Sequence, residues 1–550
     1  MRFLDEHRES VRRLARLLGG IMSGMLFAAS ALASGTLSIY PGGHYLAWNG
    51  TPTLLVGDSV TQGWMEEGSG FNYQGYLDAL SSRHINVVMI WSYIGTSAAT
   101  QIADSRIGYD SPEYWPWAKN GCTFDLTSLN PTYFTALSNL VWYANSKNLA
   151  VQITIHDGWT KTRFPGHPFN AANGGPLSVN SDYVTLYDYS NEMPTTYNSG
   201  WTWQQKNQYF QERFVDRLVK TVNSFSNVIF EIFNEGEWYS QTNLRAHQVH
   251  FLKFIKHRRS TLLTMVEADA ISGASFLGET NCDIISSHQG NNNWTASSTA
   301  LGYFTPFAEA YGGSPAKPEF FSEPVPAWVG DTGLLDPMMR VMWGTVMGAG
   351  CFVIQNDTSF AQDPKSVLAT SATLSAVNAM YDREGYCATF FNNSGLNLGS
   401  LAPNGSLASS RVCLANPGTE YVVYAQTDST VTLNLSATAG KILNCRFYNP
   451  KTGVFNSTFK VPGGSQNQLF SKPDSNDWVL HVKVPTPRPV FLPPVLLGNQ
   501  AILNWTGQGQ LQSAPAVTGV YTNITPTPPY TNTIVPGQNQ FFRLVTTASQ

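Results

Sequence analysis

Two segments of the chain put a carboxylate where an apolar strand stops. The first, Phe230-Glu-Ile-Phe-Asn-Glu-Gly-Glu-Trp238, ends its apolar run in Asn234-Glu235. The second, Lys317-Pro-Glu-Phe-Phe-Ser-Glu-Pro-Val-Pro-Ala-Trp328, ends its run at Glu323. A carboxylic acid set among Trp and Phe can have its pKa raised and serve as a general acid. Two carboxylates on different strand ends can flank one bond, the arrangement that glycoside cleavage requires. Glu319 competes with Glu323, but it starts its strand and so falls at the opposite end.

These carboxylates need a scaffold that brings strand ends together. Eight strands are expected between residues 50 and 355: Thr53–Asp58, Ile85–Trp91, Ala150–His156, Asn227–Asn234, Leu262–Glu267, Cys282–His288, Pro318–Glu323 and Gly350–Gln355. Several are continuous apolar runs, as expected of parallel strands buried on both faces. Amphipathic helical stretches such as Trp203–Ser224 lie between them. Eight strand–helix units in this length predict a (β/α)8 barrel, with a doubly wound open sheet as the alternative. Asn234-Glu235 then ends strand four and Glu323 strand seven, at the rim where barrel enzymes hold their reactive groups. Asp58, Trp91, His156-Asp157 and His288 end strands one, two, three and six and are expected to line the same pocket. Trp64, Trp91, Trp159, Trp238, Trp328 and Trp343 could stack on sugar faces, with Trp238 and Trp328 best placed beside the two carboxylates. Core packing is the competing role for each.

Beyond residue 384 the pattern changes to alternating Val, Tyr, Leu and Thr with Gly, Asn and Pro turns, as in Glu420-Tyr-Val-Val-Tyr and Trp478-Val-Leu-His-Val. That predicts a β-sandwich over 384–484. A proline-rich linker is expected over 485–496 and a small β-rich module over 497–550. The barrel is assigned to 36–383. At the N-terminus a basic start, an apolar run from Leu17 to Leu32 and Ala31-Leu32-Ala33 predict a signal peptide over 1–33. The chain is therefore expected to be secreted, periplasmic or held at the cell surface, with no membrane span in its mature form. Six cysteines in an exported chain permit disulfides without specifying their pairing. No C-x-x-C pair or other metal-ligand spacing occurs, so neither a metal nor a cofactor is expected.

Composition agrees with a neutral ligand. Only 13% of the 550 residues are charged, another 13% are aromatic, and the net charge is −4. Such a chain offers no basic field for nucleic acid. The expected partner is a polysaccharide or oligosaccharide, and the expected state is a monomer.

Asn-Glu at the end of strand four and Glu at the end of strand seven resemble the large clan of retaining (β/α)8 glycoside hydrolases. The resemblance implies Glu235 as acid/base, Glu323 as nucleophile and Asn234 as the contact to the sugar 2-hydroxyl. It implies that His156 and His288 contact substrate or orient the carboxylates. The chain more closely resembles bacterial apiosidase-like and cellulase-like barrels that carry a C-terminal β-domain of the type labelled collagen-binding. Leu55-Val-Gly-Asp-Ser, Phe164-Pro-Gly-His-Pro-Phe-Asn-Ala-Ala-Asn-Gly-Gly-Pro and Phe447-Tyr-Asn-Pro-Lys-Thr-Gly carry that likeness. That β-domain usually accompanies sugar hydrolases, so collagen binding is not inferred. The clan often has an Arg near the end of strand two, where this chain reads Met89-Ile-Trp-Ser.

Two rival readings share some of these residues. Gly57-Asp-Ser-Val-Thr-Gln-Gly63 looks like the nucleophile block of SGNH esterases, with Ser59 attacking an ester. The companion Asp-x-x-His-Pro and Gly-x-Asn-Asp blocks are missing. The other rival is a non-catalytic carbohydrate-binding protein on the same barrel, which the presence of both Glu235 and Glu323 disfavours.

Overall fold

The computed structural model describes residues 35–59, 64, 72–93, 115–121, 123–158, 164–268, 272–287, 295, 297–324, 332–355, 371–485, 489–507, 509–524 and 527–545. The expected signal peptide, His288, Trp159, Trp328 and Cys122 lie outside them. Eight parallel strands close into a barrel: β1 (Val56–Ser59), β2 (Val87–Trp91), β3 (Ala150–Asp157), β4 (Val228–Asn234), β5 (Leu263–Glu267), β6 (Ile284–Ser287), β7 (Glu319–Ser322) and β8 (Cys351–Gln355). Closure comes from the β8–β1 ladder, where Val353 pairs with Gly57 and Gln355 with Ser59. Every residue of β2, β4 and β5 is buried, which their mostly apolar sequences anticipated.

Helices follow the strands as α1 (Tyr73–Ser81), α2 (Pro131–Ser146), α3 (Trp203–Thr221), α4 (Gln241–Arg258), α5 (Ala300–Tyr311), α6 (Leu335–Met347) and α7 (Ser371–Asn393). Asn130 caps α2 ahead of Pro131 at its first turn, and Thr202 with Gln205 forms a capping box at the start of α3. After β5 the described connection holds a 3-10 turn, Gly273–Phe276, in place of a long helix. A three-stranded sheet (Leu37–Ile39, Leu46–Trp48, Thr51–Thr53) lies at the N-terminal end of the barrel, where Leu37 N–H donates to Ser226 O just ahead of β4.

The expected change of domain at 384 falls inside α7, which continues to Asn393. Its buried residues Val377, Tyr381, Cys387, Phe390 and Phe391 belong to the barrel's core, so the helix cannot stop where the composition changes. The sandwich follows as a seven-stranded sheet and a two-stranded pair. Its strand Glu420–Ala425 is buried throughout because each face packs on a different partner. Val422 and Tyr424 join the barrel's core, and Tyr421, Val423 and Ala425 fill the sandwich interior. Trp343 on α6 is the hub of the shared side, its ring 5.3–6.0 Å from those of Phe390, Phe391, Tyr424 and Tyr448. It is core, not a sugar platform. Asp477 of the sandwich accepts hydrogen bonds from Arg340 of α6 and the Tyr424 hydroxyl, each at 2.8 Å.

The expected linker also contains structure. Val490–Phe491 pairs with Trp505–Thr506, and Val495–Leu497 with Gln500–Leu503. Prolines flank these short strands, a place where a missing N–H costs the ladder little. The five described cysteines, Cys282, Cys351, Cys387, Cys413 and Cys445, are buried free thiols packed as small apolar groups. No helix among the described residues is long and apolar enough to cross a membrane.

Two features of the fold make testable predictions. Glu384 of α7 is fully buried with neither carboxyl oxygen hydrogen-bonded among the described residues, and burial together with the nearby Asp58 carboxyl pushes it well above the ordinary glutamate value of 4.5. The native chain therefore keeps a proton that the unfolded chain releases above about pH 4.5, and stability falls as pH rises beyond that value. Glu384→Gln should melt progressively higher than wild type as pH increases from 4.5 to 8, by at most about 1.4 kcal/mol per pH unit. A pH-independent difference would refute the buried acid. Asp477→Ala should destabilise the chain by about 2–4 kcal/mol, because it leaves the Arg340 cation beside buried apolar surface. Calorimetry should show barrel and sandwich shifting together in one transition.

Candidate active site

Asn234 ends β4 and Glu235 follows it in a left-handed conformation, φ 48°. Glu323 follows β7 with φ 53°. Positive φ is unfavourable for a residue with a Cβ and persists where surrounding structure enforces it, often at active sites. Here the ladder is the enforcer. Glu323 N–H donates to Val353 O of β8 at 2.8 Å, and Gly158 N–H donates to Asn234 O at 2.7 Å. A Cβ on Gly158 would lie 1.9 Å from that oxygen, so only glycine lets the end of β3 approach the Asn234-Glu235 peptide this closely.

Glu323 is buried, and its Oε1 accepts a 2.7 Å hydrogen bond from Nε1 of Trp91. Trp91 ends β2, three strands around the barrel from β7, so its indole reaches across the mouth. The sequence suggested Trp91 as a stacking surface. The structure makes it a buried donor to a carboxylate, at the strand where the clan often has Arg. Its own carbonyl accepts from the Trp64 indole at 2.9 Å, which gives Trp64 a structural role. Glu235 is half-buried, and Trp238, three residues on, is 50% exposed. Asn234 is fully buried, and neither its amide oxygen nor its nitrogen has a hydrogen-bond partner among the described residues. Such a group is rare in a folded protein and marks capacity for a ligand.

Beneath the mouth a polar layer crosses the barrel interior. Glu231 Oε2 accepts from Gln152 Nε2 at 3.1 Å and Thr154 Oγ1 at 2.6 Å. Gln152 also donates to Ser322 Oγ at 3.1 Å, and Ser286 Oγ donates to the same oxygen at 2.9 Å. This layer ties β4 to β7, ending one residue before Glu323 and four before Glu235. Sequence reasoning missed it, although a Glu, a Gln and Ser residues inside buried runs were a visible signal. It also gave no role to Glu267, buried at the end of β5.

Two expected ligand contacts are not brought to the mouth. Asp58 Oδ2 accepts from the hydroxyls of Tyr76 on α1 and Tyr381 on α7, at 2.8 and 2.9 Å, which fixes it in the helix layer. His156 is fully buried, its Nδ1 2.8 Å from the Tyr183 hydroxyl and its ring packed on His247 and Phe251 of α4. Burial lowers its pKa to about 3, so the ring is neutral at ordinary pH. His167 is likewise buried and lowered to about 3, accepting from Phe169 N–H. Asp157 closes β3 in register with Asn234. Ser59 is fully buried inside the barrel wall, unlike an esterase nucleophile exposed on a turn. Among the described residues no His, Cys, Asp and Glu side chains are grouped so as to hold a metal ion.

Residues 400–483 match a family model described as "Putative collagen-binding domain of a collagenase". Among the solved structures that resemble most of the chain are two glycoside hydrolases. One is described as a glycoside hydrolase, with 14% identity and a TM-score of 0.57, covering 82% of this chain and 97% of its own. The other is a glycoside hydrolase family 5 protein from Bacteroides vulgatus, with 14% identity and a TM-score of 0.57, covering 82% and 93%. No curated protein matches. At this identity the likeness establishes the fold, a (β/α)8 barrel followed by a β-rich region.

The close approach at Gly158 makes a prediction of its own. Gly158→Ala should cost about 1–3 kcal/mol by overpacking and displace the Asn234-Glu235 peptide. Urea unfolding and a crystal structure of the variant would measure both, and an unshifted, equally stable variant would contradict the contact.

Proposed function

We propose that the chain is a secreted glycoside hydrolase that cleaves O-glycosidic bonds of a polysaccharide or oligosaccharide with retention. One observation carries the reading. Glu235 and Glu323 follow parallel strands of one closed barrel, so both sit on the same rim, each locked at positive φ and one beside the unsatisfied Asn234 amide. Two carboxylates flanking a pocket are the equipment of glycoside cleavage. The descriptions of the two similar structures point the same way, although at their identity they support only the fold.

Glu323, oriented by the Trp91 indole, attacks the anomeric carbon. Glu235 gives its proton to the departing oxygen, and a glycosyl ester forms on Glu323. Glu235 then takes a proton from water as the water attacks that ester, which releases the sugar with its original configuration. Asn234 holds the 2-hydroxyl, where hydrogen bonds strengthen as the transition state forms. Trp238 supplies an exposed face for a neighbouring sugar. The N-terminal 33 residues support export to the cell exterior, periplasm or cell surface.

A panel of plant, algal and bacterial polysaccharides, with products read by mass, tests the activity. Glu323→Ala should lose nearly all turnover, and azide should partly restore it as a glycosyl azide of inverted configuration. Full turnover in that variant would sink the assignment. Trp91→Phe removes a hydrogen bond to a charged group, typically about 1.5–3 kcal/mol, so kcat should fall roughly 10–100-fold with KM little changed.

A further inference from the structure

A second cleft lies at the same end of the barrel, on the loops after β2 and β3. It has a volume of about 450 Å³. One wall is the hairpin Trp117–Asn120 with Thr123–Leu129, and the other is the loop through Tyr197 together with the first turn of α3. Because α3 follows β3, its N-terminus points to the mouth. Gly174 lies between the walls with φ 101°, and a Cβ there would come within 2.4 Å of Phe124 O. The walls are therefore held together by a contact that only glycine allows.

The lining is unusual for a surface helix start. Trp203 is 36% exposed, and among the described residues its ring packs on no other aromatic ring. The core face of α3 is already supplied by Phe210, Phe214, Val215 and Leu218, so Trp203 is not needed there. Tyr197 is half-buried and fixed by a stacked contact with Phe210 at 5.4 Å. Lys206 lines the same cleft, and among the described residues its ammonium has neither an ion pair nor a hydrogen bond. Asp125 uses Oδ1 to accept from Thr127 N–H and Oγ1. Its Oδ2 takes no part in those bonds. An aromatic face with a carboxylate and an ammonium beside it suits a pyranose, whose C–H face stacks and whose hydroxyls both donate and accept.

We propose that this cleft is a second glycan-binding site, apart from the Glu235–Glu323 pair, which grips a pyranosyl unit of the polymer whose bond is cut at the mouth. Trp203 is its platform, and Asp125 and Lys206 are its hydroxyl partners. Only the ligand class rests on the glycan-hydrolase reading.

The test uses the full mature chain and the polysaccharide cleaved in the panel, or, if none is cleaved, the panel itself in affinity electrophoresis. In a Glu323→Gln background, Trp203→Ala should weaken polymer binding roughly tenfold. With Glu323 intact, the same change should raise KM for the polymer and leave turnover of a short oligosaccharide unaltered. Lys206→Ala, a milder surface change, should weaken polymer binding in the same direction. Unchanged polymer binding in both variants would overturn the cleft while leaving the hydrolase reading intact. An equal loss on the short oligosaccharide would also overturn it, by placing Trp203 in the cleavage site. Glycan binding lost on Trp203→Ala in a chain that cleaves nothing would support the cleft and refute the hydrolysis.

Discussion

Closure of eight parallel strands is the constraint on which everything else hangs. Once β8 pairs with β1, all strands deliver their last residues to one rim. Residues far apart in sequence then face a common space. The same closure buries both faces of each strand, which forces continuous apolar sequence and makes any polar residue inside it expensive unless bonded. Gln152, Glu231, Ser286 and Ser322 meet that demand by bonding to one another across the interior. The rim that carries Glu235 and Glu323 is thus supported from below by a layer of polar side chains hydrogen-bonded to one another.

Strain at the rim follows from the same geometry. A strand that ends in a ladder cannot choose where its next peptide points. Glu235 and Glu323 both leave their strands through left-handed turns, each with an adjacent strand end hydrogen-bonded close by. The rest of the molecule meets the energetic cost of these two turns. A barrel with a large common core can sustain them, and the core here extends into a second domain.

Much of this was legible in sequence. The eight strands were visible because burial on both faces leaves a long apolar run, and Glu235 and Glu323 because each breaks such a run. Orientation was harder to read. Asp58 and His156 each lie one residue before the end of their strand, and their side chains meet α1, α4 and α7, so which way such a residue turns depends on helices placed later in the chain. Trp91 was recognised as important but not as a hydrogen-bond donor, since its partner lies 232 residues away. The change of composition near 384 falls inside α7, because that helix keeps Cys387, Phe390 and Phe391 in the barrel's core past the point where the sequence pattern turns to β.

The doubly buried strand Glu420–Ala425 has a consequence for ancestry. A module attached by a tether can be exchanged by recombination with little penalty. A sheet that donates Val422 and Tyr424 to its neighbour's interior cannot, because any replacement would have to bring matching side chains in matching register. Exchange of either domain alone would therefore have to restore these contacts. The stretch near Pro485, where among the described residues no such interlocking core is crossed, is the natural seam for gaining or losing the short C-terminal sheets.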